Sequence, residues 1–191
     1  ARTVRPAGDE ERAALRRRLG WRPDERIALF IGSATQPNRQ AAEFILRSLA
    51  PAARGTPVRF VIAGGVGQRL GGAPENVQVL GVVPEILPLL QGADLGLNPM
   101  RAGSGSNIKL VEYCAAGLGA VTTPLGLRGL EGLRPLVRQA ALEDFPQAIR
   151  ETRRPIEPPP AEILAPYFWQ TGATKLAAFY RDLLADADGQ S

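Results

Sequence analysis

The chain has 191 residues, 45% hydrophobic and 22% charged, with a formal net charge of +4. That suits one ordinary globular domain, or one and a half, and no stretch approaches the ~18 apolar residues of a membrane span. With one cysteine, Cys114, and no histidine, an intrachain disulfide, a histidine-ligated zinc and a histidine-based triad are excluded.

Ala1 to Pro6 is not expected to be a signal peptide, because no apolar run follows it. Residues 8–20 read as a charged helix with acids in its first turn and Arg16, Arg17 and Arg18 in its last, as the helix dipole favours. Residues 26–32 are a continuous apolar run, the pattern of a strand buried on both faces. A helix follows over 38–53, a strand over 58–63 closed by Gly64-Gly65, and a strand over 77–80 closed by Gly81. A short helix is expected over 84–91 and a strand over 93–98. Residues 99–106 are a Gly/Ser loop, 107–116 a helix, 120–123 a strand and 135–138 a short final strand. A helix over 142–153 precedes a proline-rich connector at 155–160. A last amphipathic helix is expected over about 171–185. Strand and helix alternate with short connections, so the fold class is α/β, an open doubly wound parallel sheet of Rossmann-like type. A (β/α)₈ barrel needs about 250 residues. Ligands of such sheets bind beyond the carboxyl ends of the strands, at the switch point.

The positive charge is almost all arginine, and the lysines are Lys109 and Lys175. The arginines are scattered and aromatics do not interleave with them, which predicts a solvated basic surface and no nucleic-acid partner. A lone cysteine points to a reducing, cytoplasmic compartment. The basic surface leaves room for peripheral contact at the inner membrane face.

Glycine marks three strand ends: Gly32-Ser33, Gly64-Gly65, and the loop Arg101-Ala102-Gly103-Ser104-Gly105-Ser106-Asn107. None is a Walker A sequence or a G-x-G-x-x-G, so neither a P-loop nor NAD binding is supported. The third loop runs into a helix N-terminus, where glycine backbone and free N–H groups suit a phosphate. Lys109 stands in that first turn. A cation there opposes the dipole at a cost of ~0.3–1 kcal/mol, which a bound phosphate would reverse. The alternative is an i,i+3 pair with Glu112. Glu112 itself interrupts an apolar helix, where a carboxylate is costly unless paired. It either accepts hydroxyls of a ribose one turn from the phosphate or pairs with Lys109 or with an arginine from elsewhere in the chain.

The run from Gly103 to Gly117 (GSGSNIKLVEYCAAG), followed by Ala120 to Gly126 (AVTTPLG), resembles glycosyltransferase family 4. It is similar to the nucleotide-sugar-binding C-terminal domain of that GT-B family. The segments Phe30-Ile31-Gly32-Ser33, Pro37-Asn38-Arg39, Val61 to Gly65, Asn76 to Gly81 and Ala93 to Pro99 fall in the family's order and spacing. The likeness spans roughly residues 25–185.

The resemblance implies that Glu112, matching the second Glu of the family's E-x₇-E motif, holds the ribose. Backbone amides at Asn107, Ile108 and Lys109 would meet the diphosphate. The implied donor set also takes in Gly103, Ser104, Gly105 and Ser106, Gly32 and Ser33 after the first strand, and Val83 toward the base. The motif's first Glu, which contacts the donor sugar in the family, falls on Ser104. The family's Arg and Lys after the first strand correspond to the stretch 33–39, leaving Arg39, Arg101 or Lys109 to supply the charge. The implied organisation is a linker and leading helix over 1–25, a nucleotide-sugar-binding domain over 26–154, and a connector with a C-terminal helix on the same domain over 155–191. Tyr167, Phe168 and Trp169 precede that helix; Trp169 reads equally as a packing anchor on a preceding domain or as core.

The implied activity is retaining transfer of a sugar from a nucleoside-diphosphate sugar to a hydroxyl acceptor, with no metal and no cofactor. The implied partners are the nucleotide-sugar and an N-terminal acceptor domain, without which the chain would have little activity. A non-catalytic α/β interaction module and a sugar-nucleotide epimerase are the other classes this pattern permits.

Overall fold

The structure is a computed structural model that describes residues 4–103, 105, 107–154, 159–168 and 171. The continuous apolar runs become strands: β1 (Arg26–Ile31), β2 (Val58–Ala63), β3 (Val77–Gly81), β4 (Leu95–Asn98), β5 (Gly119–Thr122) and β6 (Val137–Gln139). All pairings are parallel, in the order β3-β2-β1-β4-β5-β6. This is the open Rossmann-like α/β sheet that the alternation of runs predicts. Ile27, Ala28, Leu29 and Phe30 of β1 are all buried, because helices cover both faces of a parallel sheet.

The helices are α1 (Asp9–Arg18), α2 (Gln36–Phe44), α3 (Ala50–Ala52), α4 (Leu87–Gly92), α5 (Ile108–Ala115), α6 (Pro124–Leu127) and α7 (Phe145–Glu151). α2 starts two residues earlier than its apolar pattern suggests, because Pro37 is preorganised for a first helical turn. It reaches α3 through a wide π-type turn, Ile45–Leu49. Pro51 lacks an N–H and crowds the carbonyl one turn back, which a widened turn relieves. The helix expected over 84–91 is shorter, and the one over 142–153 opens as a 3₁₀ turn before α7. β6 begins after Pro135, which has no ladder donor.

The two central strands, β1 and β4, pair little with each other. β1 meets β4 only at Ala28↔Leu95 and Leu29↔Gly96. Beyond Leu29 and Gly96 the strand ends part, at the point where the sheet order reverses. At the amino ends of the same strands, Asp94 ties the chain together. One carboxylate oxygen accepts the Ile27 N–H at 2.8 Å and Arg16 at 3.0 Å, and the other accepts Arg12.

Residues 1–159 form one compact unit and residues 160–191 a second. The described part of the second contains α8 (Ala161–Leu164) and the 3₁₀ turn Ala165–Tyr167. The expected helix over 171–185 falls, beyond Thr171, outside the described residues, as do Trp169 and most of the proline-rich connector. Among the described residues no helix is long and apolar enough to cross a membrane.

Candidate functional site

A cleft of about 470 Å³ opens at the carboxyl ends of β1 and β4. Ligands of open α/β sheets collect at such a switch point. One wall is the segment after β1, with Gly32, Ser33 and Thr35, and the start of α2, with Pro37 and Asn38. The other wall is the Gly/Ser loop, with Ala102, Gly103 and Gly105, and the start of α5, with Asn107, Ile108 and Lys109. A hollow of about 550 Å³ lies at the opposite end of β1–β3, lined in part by Arg22, Glu25 and Arg59. Glu25 is already met there by Arg59 at 2.8 Å. We therefore place the candidate site in the smaller cleft, whose one charged lining residue among the described residues is Lys109.

Packing fixes both walls. Gly64, at the carboxyl end of β2, has φ of +98°, and a side chain there would overlap the Gly32 carbonyl oxygen. The loop after β4 is held by Thr123, whose hydroxyl donates to the Met100 carbonyl at 2.8 Å. The same hydroxyl caps α6 by accepting the Gly126 N–H at 3.0 Å. Asn98, fully buried, donates to the Thr122 hydroxyl and the Gly126 carbonyl, each at 3.1 Å. Arg128 donates to the Gly103 carbonyl at 2.6 Å, steadying the Gly/Ser loop from outside.

α5 is apolar on most sides, yet not buried all round. Leu110, Val111, Tyr113, Cys114 and Ala115 face the core. Ile108 is 61% exposed, and Lys109 and Glu112 are half-buried. Burial pushes the Cys114 thiol up to about 12, so the lone cysteine is an inert packing residue. The Asn107 side chain makes no capping hydrogen bond. The first amides of α5 have no intrahelical acceptor and stand at the cleft wall.

Lys109 does not reach Glu112. Its ammonium donates to Asn38 Oδ1 at 2.7 Å and lies 4.6 Å from the centroid of the Phe30 ring. Burial lowers its pKa to about 8, against an opposing pull from Glu112. Burial raises the Glu112 carboxyl, and Lys109 opposes that shift. Among the described residues no hydrogen bond or ion pair reaches the Glu112 carboxylate, so the i,i+3 pair that the spacing allows is not formed.

The structure brings together seven of the expected site residues: Gly32, Ser33, Gly103, Gly105, Asn107, Ile108 and Lys109. Ser104 and Ser106 lie outside the described residues. Glu112 stands one turn along α5 from Ile108 and does not line the cleft, and Val83 is likewise absent from the lining; its neighbour Val82 is the exposed one, at 66%. Of the three cations left open by the sequence, Lys109 alone lines the cleft. Arg101 stacks on the Phe44 ring at 5.0 Å. Asn38, within the segment Pro37-Asn38-Arg39, carries no sequence signal of its own that marks it as facing Lys109. Among the described residues no cluster of three or more Cys, Asp or Glu is placed to hold a metal ion.

Solved structures share this fold. The chain aligns with the sucrose-phosphate synthase of Thermosynechococcus elongatus at 17% identity and a TM-score of 0.74, over 96% of this chain and 50% of that one. WaaG, a glycosyltransferase involved in lipopolysaccharide biosynthesis, matches at 20% identity and a TM-score of 0.61, over 76% of this chain and 42% of that one. Anabaena Alr3699/HepE, solved in complex with UDP and glucose, matches at 15% identity and a TM-score of 0.60, over 77% of this chain and 43% of that one. At these identities the likeness is one of fold. The chain spans half or less of the length of each of these three proteins. No curated protein matches the sequence. The family model of the group 1 glycosyl transferases matches residues 25–153, more than half of the chain. The chain therefore belongs to the group 1 glycosyl transferases.

Proposed function

We propose that this cleft holds the nucleoside diphosphate of a sugar donor. The observation that carries the reading is the cleft at the β1/β4 switch point, with Lys109 as its one charged lining residue among the described residues, beside the open amides of α5. Among the described residues no carboxylate lines it, so an anion meets amides and one ammonium. The diphosphate lies against the amides of Ile108 and Lys109 and the ammonium of Lys109. Glu112, one turn along the helix and without a protein partner among the described residues, accepts the ribose hydroxyls. Val83 and its neighbour Val82 border the base. The UDP and glucose bound by a similarly folded protein support this assignment.

Transfer breaks the bond between the sugar C1 and the diphosphate oxygen and forms a bond from C1 to the acceptor oxygen, whose hydroxyl proton passes to the departing diphosphate, with retention at C1. Negative charge grows on the departing diphosphate. The amides and Lys109 are preorganised where that charge develops, which is where electrostatic stabilisation acts. The acceptor is held by a second domain facing the cleft, and the chain alone binds donor without appreciable turnover.

Calorimetric titration of the chain with UDP, GDP and ADP tests the reading. One of them is expected to bind, and Glu112→Ala to weaken it about tenfold, the loss of hydrogen bonds to a charged acceptor. Inorganic pyrophosphate, which has no ribose, is expected to bind both proteins alike. No binding of any nucleotide at millimolar concentration would sink the proposal.

A further inference from the structure

Asn38 connects the two walls of the cleft. It stands in the first turn of α2 and is buried. Its Nδ2 donates to the Ser33 carbonyl at 3.2 Å and to the Ser33 hydroxyl at 3.1 Å. Its Oδ1 accepts from the Lys109 ammonium at 2.7 Å. An ammonium has donors only, so the amide end facing it is the oxygen. Asn38 packs so closely on Gly32 that a Cβ at position 32 would stand 3.1 Å from both its Cβ and its Cγ. The amide thus bridges the segment after β1 and the first turn of α5.

The surroundings of the Lys109 ammonium are neutral. Asn38 faces it from α2, the Phe30 ring from β1, and the Met100 sulfur, at 4.0 Å, from the loop after β4. Among the described residues the one charge acting on it is Glu112, on its own helix. We infer that Asn38 is a positioning residue, which anchors the Lys109 ammonium through a neutral acceptor and so leaves its charge free for the diphosphate of the ligand. The inference rests on the diphosphate reading of the cleft. A carboxylate at position 38 would fix the ammonium as firmly and cancel its charge. A small apolar residue would leave the charge and lose the anchor. An amide anchors without neutralising.

The chain has two lysines, so NMR of protein labelled with ¹³C-lysine follows Lys109 against one other signal. Wild type, Asn38→Asp and Asn38→Ala are titrated without ligand and then with the tightest of UDP, GDP and ADP. The wild-type midpoint is expected near the value of about 8 that burial sets. Asn38→Asp is expected to raise it by about one unit or more, since an opposite charge at hydrogen-bond distance favours the ammonium. Asn38→Ala is expected to lower it. Asn38→Asp is expected to bind nucleotide about tenfold more weakly, although more of its Lys109 is charged. A residue with a merely structural role would weaken binding and leave the midpoint in place. Midpoints that match the wild type in both variants overturn the inference, as does an Asn38→Asp protein that binds nucleotide as tightly as wild type. If the wild type binds no nucleotide, the diphosphate reading falls. The ligand-free midpoints still decide whether Asn38 sets the charge of Lys109.

Discussion

Lys109 is held against two penalties, the dipole of its own helix and burial. Its pKa is about 8 in the folded chain, against 10.5 for an ordinary lysine. Between those values the unfolded chain binds more protons, so stability rises with pH across that window. Below pH 8 the cost of holding the buried cation is fully present. A bound anion offsets the cost, because it favours the charged form. Nucleotide binding should therefore draw a proton from solvent above pH 8. Affinity is expected to be level up to that point and then to fall by up to about tenfold per pH unit. In Lys109→Met this slope should vanish, leaving weaker binding throughout. Calorimetry in two buffers of different ionisation enthalpy reads the proton uptake. A wild-type profile that runs parallel to that of Lys109→Met would remove Lys109 from the binding site.

At the scale of elements, the cleft depends on how α5 sits on β1 and β4. One buried ring sets that. The Tyr113 hydroxyl accepts the Ile31 N–H at 3.0 Å, and its ring lies so close to Gly96 of β4 that a Cβ there would overlap it. Gly96→Ala is expected to push α5 outward and cost about 1–3 kcal/mol, the usual penalty of overpacking a core. Urea denaturation reads the loss, and nucleotide affinity should fall with it. Wild-type stability in this variant would show that the ring contact does not position α5. Much of this layer is legible in the sequence. The strands stand out because they are buried on both faces and read as unbroken apolar runs, and the loop-to-helix sequence 103–116 carries its own chemistry. Thr123-Pro124 is also a readable start signal for α6, a side-chain cap followed by a proline suited to the first turn. Asn38 is a different case. An asparagine at a helix start reads as local capping, whereas its partner Lys109 lies 71 positions away. The Lys109–Glu112 spacing likewise suits a pair on one helix, and only tertiary packing turns the lysine toward α2. Whether Val82 or Val83 points outward depends on how the chain leaves β3 through Gly81, whose φ is +63°. No local pattern encodes that.

Over the whole molecule the sheet separates stability from binding by its two ends. The carboxyl ends of β1 and β4 are left open and glycine-rich to form the cleft. Their amino ends are tied by polar contacts. Arg16, 5% exposed, donates to the carbonyls of Gly92, Arg22 and Glu25 and to the Asp94 carboxylate. Asp94 also holds Arg12 and the Ile27 N–H. Removing this carboxylate leaves a buried guanidinium without its counter-charge and an amide without its acceptor. Asp94→Ala is expected to cost roughly 3 kcal/mol, near the lower bound for removing one partner of a buried ion pair. At about 2–4 °C per kcal/mol for a domain of this size, the loss is readable in a thermal melt. The same variant, studied well below its melting temperature, should bind nucleotide as the wild type does. Sites this far apart, with no shared partner, contribute independently. A fall in affinity alongside the fall in stability would mean that strain at the amino ends passes along β1 and β4 to the cleft. The two short register pairs that join those strands would then be the place where it crosses.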